Sequence, residues 1–209
     1  MFNDTVIEAV RRTSREVLDV RGIHDAASNL ACPVGDVASK RQAIGTIIRA
    51  VKYLPKLQRD AVVADIAAQS EAALPSDLMM RSDQVVALHR TGMQIGAHTV
   101  SHPILTRCSA DDVRREMAES RQTLQALTGA RVGLFAYPNG RPGQDYDVSH
   151  AAIVRSLGFD AAVSTSPGSA DSRADLFQLP RFTPWDRARL RFGARLFANH
   201  FTHPVTASA

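Results

Sequence analysis

Three times between residues 82 and 163 the chain repeats one cycle: an amphipathic helix, a glycine, then a short apolar strand. Ser82 can cap a helix carrying Val85, Val86 and Leu88; Gly92 stops it and MQIGA follows. Ser109, with Asp112 three residues on in a capping-box arrangement, opens a second helix striped by Val113, Met117, Leu124 and Leu127. Gly129 ends that helix and the strand VGLFA comes next. Asp147 starts the third, with Ile153, Val154 and Leu157 inward; Gly158 stops it before FDAAV. Helices alternating with apolar strands at regular spacing predict an α/β fold with a parallel sheet or barrel. A fourth strand, LFQLPRF at 176–182, follows a polar loop with no helix of its own.

The segments flanking this core are helical in pattern. Asn3 or Asp4 can cap an N-terminal helix striped by Val6, Ile7 and Val10. The Gly, Asp and Ser content of residues 21–38 predicts a connecting loop. Residues 39–73 predict an α-hairpin: Ile44, Ile47, Ile48 and Val51 line one helix, Pro55 breaks it, and Val62, Val63 and Ile66 line the other. The division expected is a helical region at 1–76, the α/β part at 77–183, and a basic amphipathic helix and tail at 184–209. That last helix carries Leu190, Phe192, Leu196 and Phe197; docking on a core with its arginines solvated is the favoured reading, and contact with a membrane surface is the other.

Composition excludes more than it assigns. The 209 residues carry a formal charge of +4, yet no Lys/Arg run has interleaved aromatics, so no nucleic-acid footprint is expected. No apolar run is long enough to span a membrane. Cys32 and Cys108 lack CxxC spacing, which argues against a thiol zinc site or a disulfide scaffold. MFNDTVIEAVRR has neither the charged start nor the apolar region of a signal peptide, and the compartment stays unassigned.

Polar residues collect where the strands end, and in parallel α/β folds reactive groups sit just beyond those carboxyl ends. His98-Thr99-Val100-Ser101-His102-Pro103 follows MQIGA, Tyr137-Pro138-Asn139-Gly140-Arg141-Pro142 follows VGLFA, Ser164-Thr165-Ser166 follows FDAAV, and Arg181 and Thr183 close LFQLP. His98 and His102, four apart, could reach one ion from a single helical turn, but a catalytic site needs about three protein ligands. Alternatively, both histidines bond loop carbonyls. Asp145 and Asp147 fit a turn and a helix cap, His89 a helix C-terminus, and His24, His150, His200 and His203 solvated positions.

HTVSHP resembles the H-[ST]-x-x-H-P metal motif of the polysaccharide deacetylase family, the NodB-homology carbohydrate esterases, and FAYPNG resembles that family's F-R-P-P-Y-G. The similarity covers roughly residues 77–183. It implies a partial, distorted (β/α) barrel with an inserted α-hairpin, and a hydrolase that removes N-acetyl groups (amide C–N bonds) from an acetylated polysaccharide. It also implies a divalent metal, zinc first, on His98 and His102. Asn139 then offers its backbone N–H to the oxyanion, Tyr137 and Pro138 wall the groove, and Arg181 falls among the substrate contacts.

The departures are specific. Ala136 stands where the family has an Arg and Asn139 where it has a Tyr. No Asp-Asp-Gly occurs to match T-F-D-D-G, the source of the base and third ligand, and Asp111-Asp112 sits at a helix start instead. Arg181 replaces the His of the L-x-H motif. The chain is therefore expected to be an N-terminally truncated member, weak or inactive alone; the alternative is a non-catalytic carbohydrate-binding or interaction module on the same fold.

Overall fold

In the computed structural model, which describes residues 1–20, 30–183 and 185–208, the chain divides into two units, Met1–Met80 and Arg81–Ala209. The first unit begins with helix α1 (Phe2–Arg12), whose Val6, Ala9 and Val10 are buried. Strands β1 (Val17–Val20) and β2 (Leu30–Pro33) pair antiparallel with Leu18 opposite Cys32. Helices α2 (Val37–Val51) and α3 (Lys56–Gln69) follow as a hairpin. Asp36 caps α2 by accepting from the N–H groups of Ala38 and Ser39, while Ser39 Oγ accepts from Asp36 N–H. Gln69 acts as a surrogate strand partner for β1: its amide accepts from Asp19 N–H at 3.0 Å and donates to Asp19 O at 2.7 Å.

Three expectations change in this unit. Part of the loop expected over 21–38 is structured, because residues 30–33 form β2 and α2 begins at Val37. Helix α1 starts at Phe2, so Asn3 and Asp4 lie in its first turn rather than capping it. In β1, Leu18 and Val20 are buried while Val17 is exposed and Asp19 half-buried, a period-two signal too short to stand out from a loop. His24 lies outside the described residues.

The second unit runs α4 (Ser82–Arg90), a 3₁₀ turn (Leu105–Arg107), α5 (Ala110–Thr128), β3 (Leu134–Ala136), α6 (Val148–Ser156), β4 (Ala161–Val163) and α7 (Arg189–His200). The helix stops take left-handed φ at Gly92 (89°), Gly129 (68°) and Gly158 (77°), the conformation a Cβ disfavours. Ser109 caps α5 by accepting from Asp112 N–H at 3.2 Å, an arrangement that contributes about 1 kcal/mol.

β3 and β4 pair in parallel, Phe135 opposite Ala162. Single parallel bridges extend this pair on both sides, Ala97 to Phe135 and Val163 to Leu179, so four segments lie in sequence order. The described strands do not close on themselves, and the α/β architecture is that of a partial barrel. MQIGA and LFQLP were expected as full strands and reduce to these bridges. In MQIGA only Ala97 is buried, so the rest has no inward face to hold it in a ladder. Pro180 has no N–H to continue beyond Leu179. Leu105, Met117, Phe135, Tyr137, Tyr146 and Val154 are buried in the core between helices and sheet. Arg121 ties the layers together, donating to the carbonyls of Val132 and Leu157 with its guanidinium over the Phe159 ring.

Helix α7 departs from the docking expectation: among the described residues, none of its side chains is buried, and Leu190 is 90% exposed. It is held at one end by Asn199, which exchanges two hydrogen bonds with the backbone of Gly168.

Candidate active site

The four polar clusters follow neighbouring parallel segments at their carboxyl ends. Three of the loops are joined by hydrogen bonds: Thr165 N–H donates to Gly140 O, Thr165 Oγ1 donates to Asn139 O at 2.8 Å, and Arg181 N–H donates to Ser166 O at 2.9 Å.

HTVSHP is a loop here, not the helical turn expected from the spacing. Thr99 (φ 65°) and His102 (φ 55°) both hold left-handed backbone, which is costly for a β-branched Thr and marks a locally strained segment. Glu116, on α5, holds it there: its carboxylate accepts from the N–H groups of Val100 and Ser101, each at 2.8 Å, and from Ser101 Oγ at 2.6 Å. Thr99 Oγ1 accepts from His102 N–H at 3.1 Å and closes the loop on itself.

The result brings the two imidazoles together, with ring centroids 4.8 Å apart and edge to face. His98 Nδ1 lies 2.7 Å from Ala136 O. A carbonyl only accepts, so Nδ1 carries the proton and Nε2 keeps its lone pair, the arrangement that orients a histidine as a metal ligand. Two imidazoles suit zinc and similar divalent ions by donor chemistry. Among the described residues, no group of three or more His, Cys, Asp or Glu side chains is placed to hold a metal. Asp112 instead bonds Ser109 and Arg115 at the start of α5, and those contacts hold its carboxyl below the usual range.

FAYPNG divides between rim and core. Tyr137, expected to wall a groove, is 1% exposed. Its ring stacks on Tyr146 at 3.8 Å and its hydroxyl donates to Phe177 O at 2.8 Å. Burial pushes the Tyr137 hydroxyl's pKa far up and that of Tyr146 to about 12. Pro138 is buried as well. An apolar aromatic ring beside a sheet finds more contact inside than on the rim, which explains the difference. Asn139 stays half-buried at the surface with a left-handed φ of 58°, its C=O turned to Thr165 and its N–H bonded to no group among the described residues. Arg181 is exposed.

Asp147 caps α6, accepting from the N–H groups of Ser149 and His150. Asp145 is fully buried, accepting from Arg141 N–H at 3.1 Å. His150, expected as solvated, is 6% exposed, because its ring folds back to accept from Asp147 N–H.

Glu116 and Ser120 join the site although no motif in the sequence marks them. Both lie on the α5 face toward the histidine loop, and Ser120 Oγ accepts from His98 N–H at 3.4 Å. The available signal was Ser120, a small polar residue continuing the Val113 and Met117 stripe.

The family model for polysaccharide deacetylase matches residues 48–162, more than half of the chain. The chain belongs to the polysaccharide deacetylase family. The matched span includes His98, His102 and Asn139 and starts within α2, whereas Arg181 lies beyond it. Among solved structures, the chain is similar to a deacetylase of Streptococcus pyogenes in complex with acetate, at 26% identity and TM-score 0.48, over 58% of this chain and 57% of that one. It is also similar to a polysaccharide deacetylase of Bacillus cereus, at 19% identity and TM-score 0.47, over 60% and 37%. The chain thus spans a little over half the length of the first of these. No curated protein matches it.

Proposed function

We propose that this polysaccharide deacetylase chain contributes to the hydrolysis of N-acetyl groups on an acetylated glycan, with His98 and His102 holding a divalent metal, zinc first. One observation carries the reading: the two imidazoles stand edge to face at 4.8 Å, with His98 Nδ1–H tied to Ala136 O and Nε2 left for a ligand role. The metal, when bound, supplies a Lewis acid for the acetyl carbonyl. The rest falls to the chain. Asn139 presents its backbone N–H to the oxyanion that develops as water adds to that carbonyl. Tyr137 and Pro138, packed beneath, fix the backbone that carries this donor. Arg181, exposed at the end of the fourth segment, meets the glycan.

With no Asp-Asp-Gly to supply a base and third ligand, these residues by themselves bind metal weakly and turn over slowly. That absence, together with Arg181 in place of the L-x-H histidine, favours a second reading, a non-catalytic carbohydrate-binding module on the same fold. Acetate release from an N-acetylated glycan, with and without added zinc, separates the two. Zinc-dependent release that His98→Ala abolishes supports the enzyme; glycan binding without release, unchanged by zinc, supports the module.

A further inference from the structure

Helix α7 has two faces, and only one is used. Phe192 meets Phe182 edge to face at 6.3 Å, and Asn199 grips Gly168 on the same side. Leu190, Phe197 and Phe201 fall at spacings of seven and four, which places them together on the opposite side, 90%, 69% and 66% exposed. Trp185, just before the helix, is 82% exposed and is the only tryptophan in the chain. Isolated apolar residues on a surface mean little, but an exposed apolar stripe along one helix face, with the Phe197 and Phe201 rings 5.1 Å apart, marks an interaction surface.

Charge selects its occupant. Residues 185–208 hold four arginines and one acid, Asp186. That acid is already engaged by Arg195 at 3.2 Å and Arg191 at 3.7 Å. Arg189 and Arg191 project to either side of the stripe by helical geometry. A second copy would bring like-charged rows together with no free acid to offset them. An anionic lipid surface accepts the apolar stripe at the acyl boundary and the arginines at its headgroups. We infer that α7 is an interfacial helix that lays Leu190, Phe197 and Phe201 into an anionic phospholipid surface.

The test uses the full chain with phosphatidylcholine vesicles containing about one third phosphatidylglycerol, against pure phosphatidylcholine. The chain should co-sediment with the anionic vesicles, more weakly as salt rises, while Trp185 emission shifts to the blue and is quenched by brominated lipid. Phe197→Ser/Phe201→Ser should lower partitioning by about ten-fold or more. Both sites are exposed, so an unchanged circular-dichroism spectrum is expected, and the quenching of the native chain depends on no variant. The inference is overturned by equal partitioning into neutral vesicles, by unquenched Trp185, or by native-like binding of the double variant. A concentration-dependent dimer that the double variant loses, without vesicle binding, would assign the stripe to a second copy.

Discussion

His98 and Ala136 are joined across two neighbouring segments of the sheet: the imidazole Nδ1–H donates to the carbonyl oxygen at 2.7 Å. The acceptor is backbone, so it cannot be lost by substitution at position 136, and it fixes both the tautomer and the direction of Nε2. If Nε2 serves a metal, His98→Ala should lower zinc affinity by at least about ten-fold, and the His98→Ala/His102→Ala pair should abolish it. Isothermal calorimetry with zinc measures this directly; equal heats for the native chain and the double variant would end the metal assignment.

Glu116 supplies the loop with three hydrogen bonds. Glu116→Ala strands the N–H groups of Val100 and Ser101 in a segment already strained at Thr99 and His102. Val100 is exposed and water can replace its partner, so the expected cost is about 0.5–1.5 kcal/mol for each bond lost. Zinc affinity should fall by about 10–100-fold, since positioning partners typically matter to that extent. Glu116→Gln, which keeps an acceptor oxygen, should recover part of the affinity. A variant that melts earlier yet binds zinc like the native chain would limit Glu116 to a structural role.

How much of this was legible in the sequence depends on the range of the interactions. The caps at Ser109, Asp147 and Gly129 were visible because each acts within a few residues of itself. Helices α2 and α3 followed from their apolar periods. The histidine loop was not legible, because its shape depends on Glu116, fifteen residues from Ser101, and on two left-handed non-glycine residues that no local propensity predicts. Tyr137 was misplaced for a related reason: a motif position says which residue follows a strand, and only packing against Tyr146 decides which way its ring turns.

Tyr137 gives a test of that distinction. Tyr137→Phe keeps the stack and loses the bond to Phe177 O, which should cost about 0.5–1.5 kcal/mol in chemical denaturation. Tyr137→Ala empties a buried aromatic site and should cost about 3–5 kcal/mol. Neither change touches the imidazole pair, so zinc affinity of the folded Tyr137→Phe chain should match the native value. Glycan affinity that drops with Tyr137→Phe, at unchanged stability, would return this residue to the groove wall.

Asp36 makes the first unit sensitive to acid. The Ser39 and Ala38 N–H groups that it accepts from at the start of α2 hold its carboxyl below the usual range. A folded-state pKa below the unfolded one means that the stabilisation is complete above the unfolded value, near about 3.9, and is lost as pH falls through the folded value. Asp36→Asn keeps a capping oxygen but does not titrate. Melting temperatures of the two chains should therefore differ at neutral pH and converge as pH drops below about 3.9, with the native chain losing its advantage. A gap that stays constant through that range would show that the cap works without its charge.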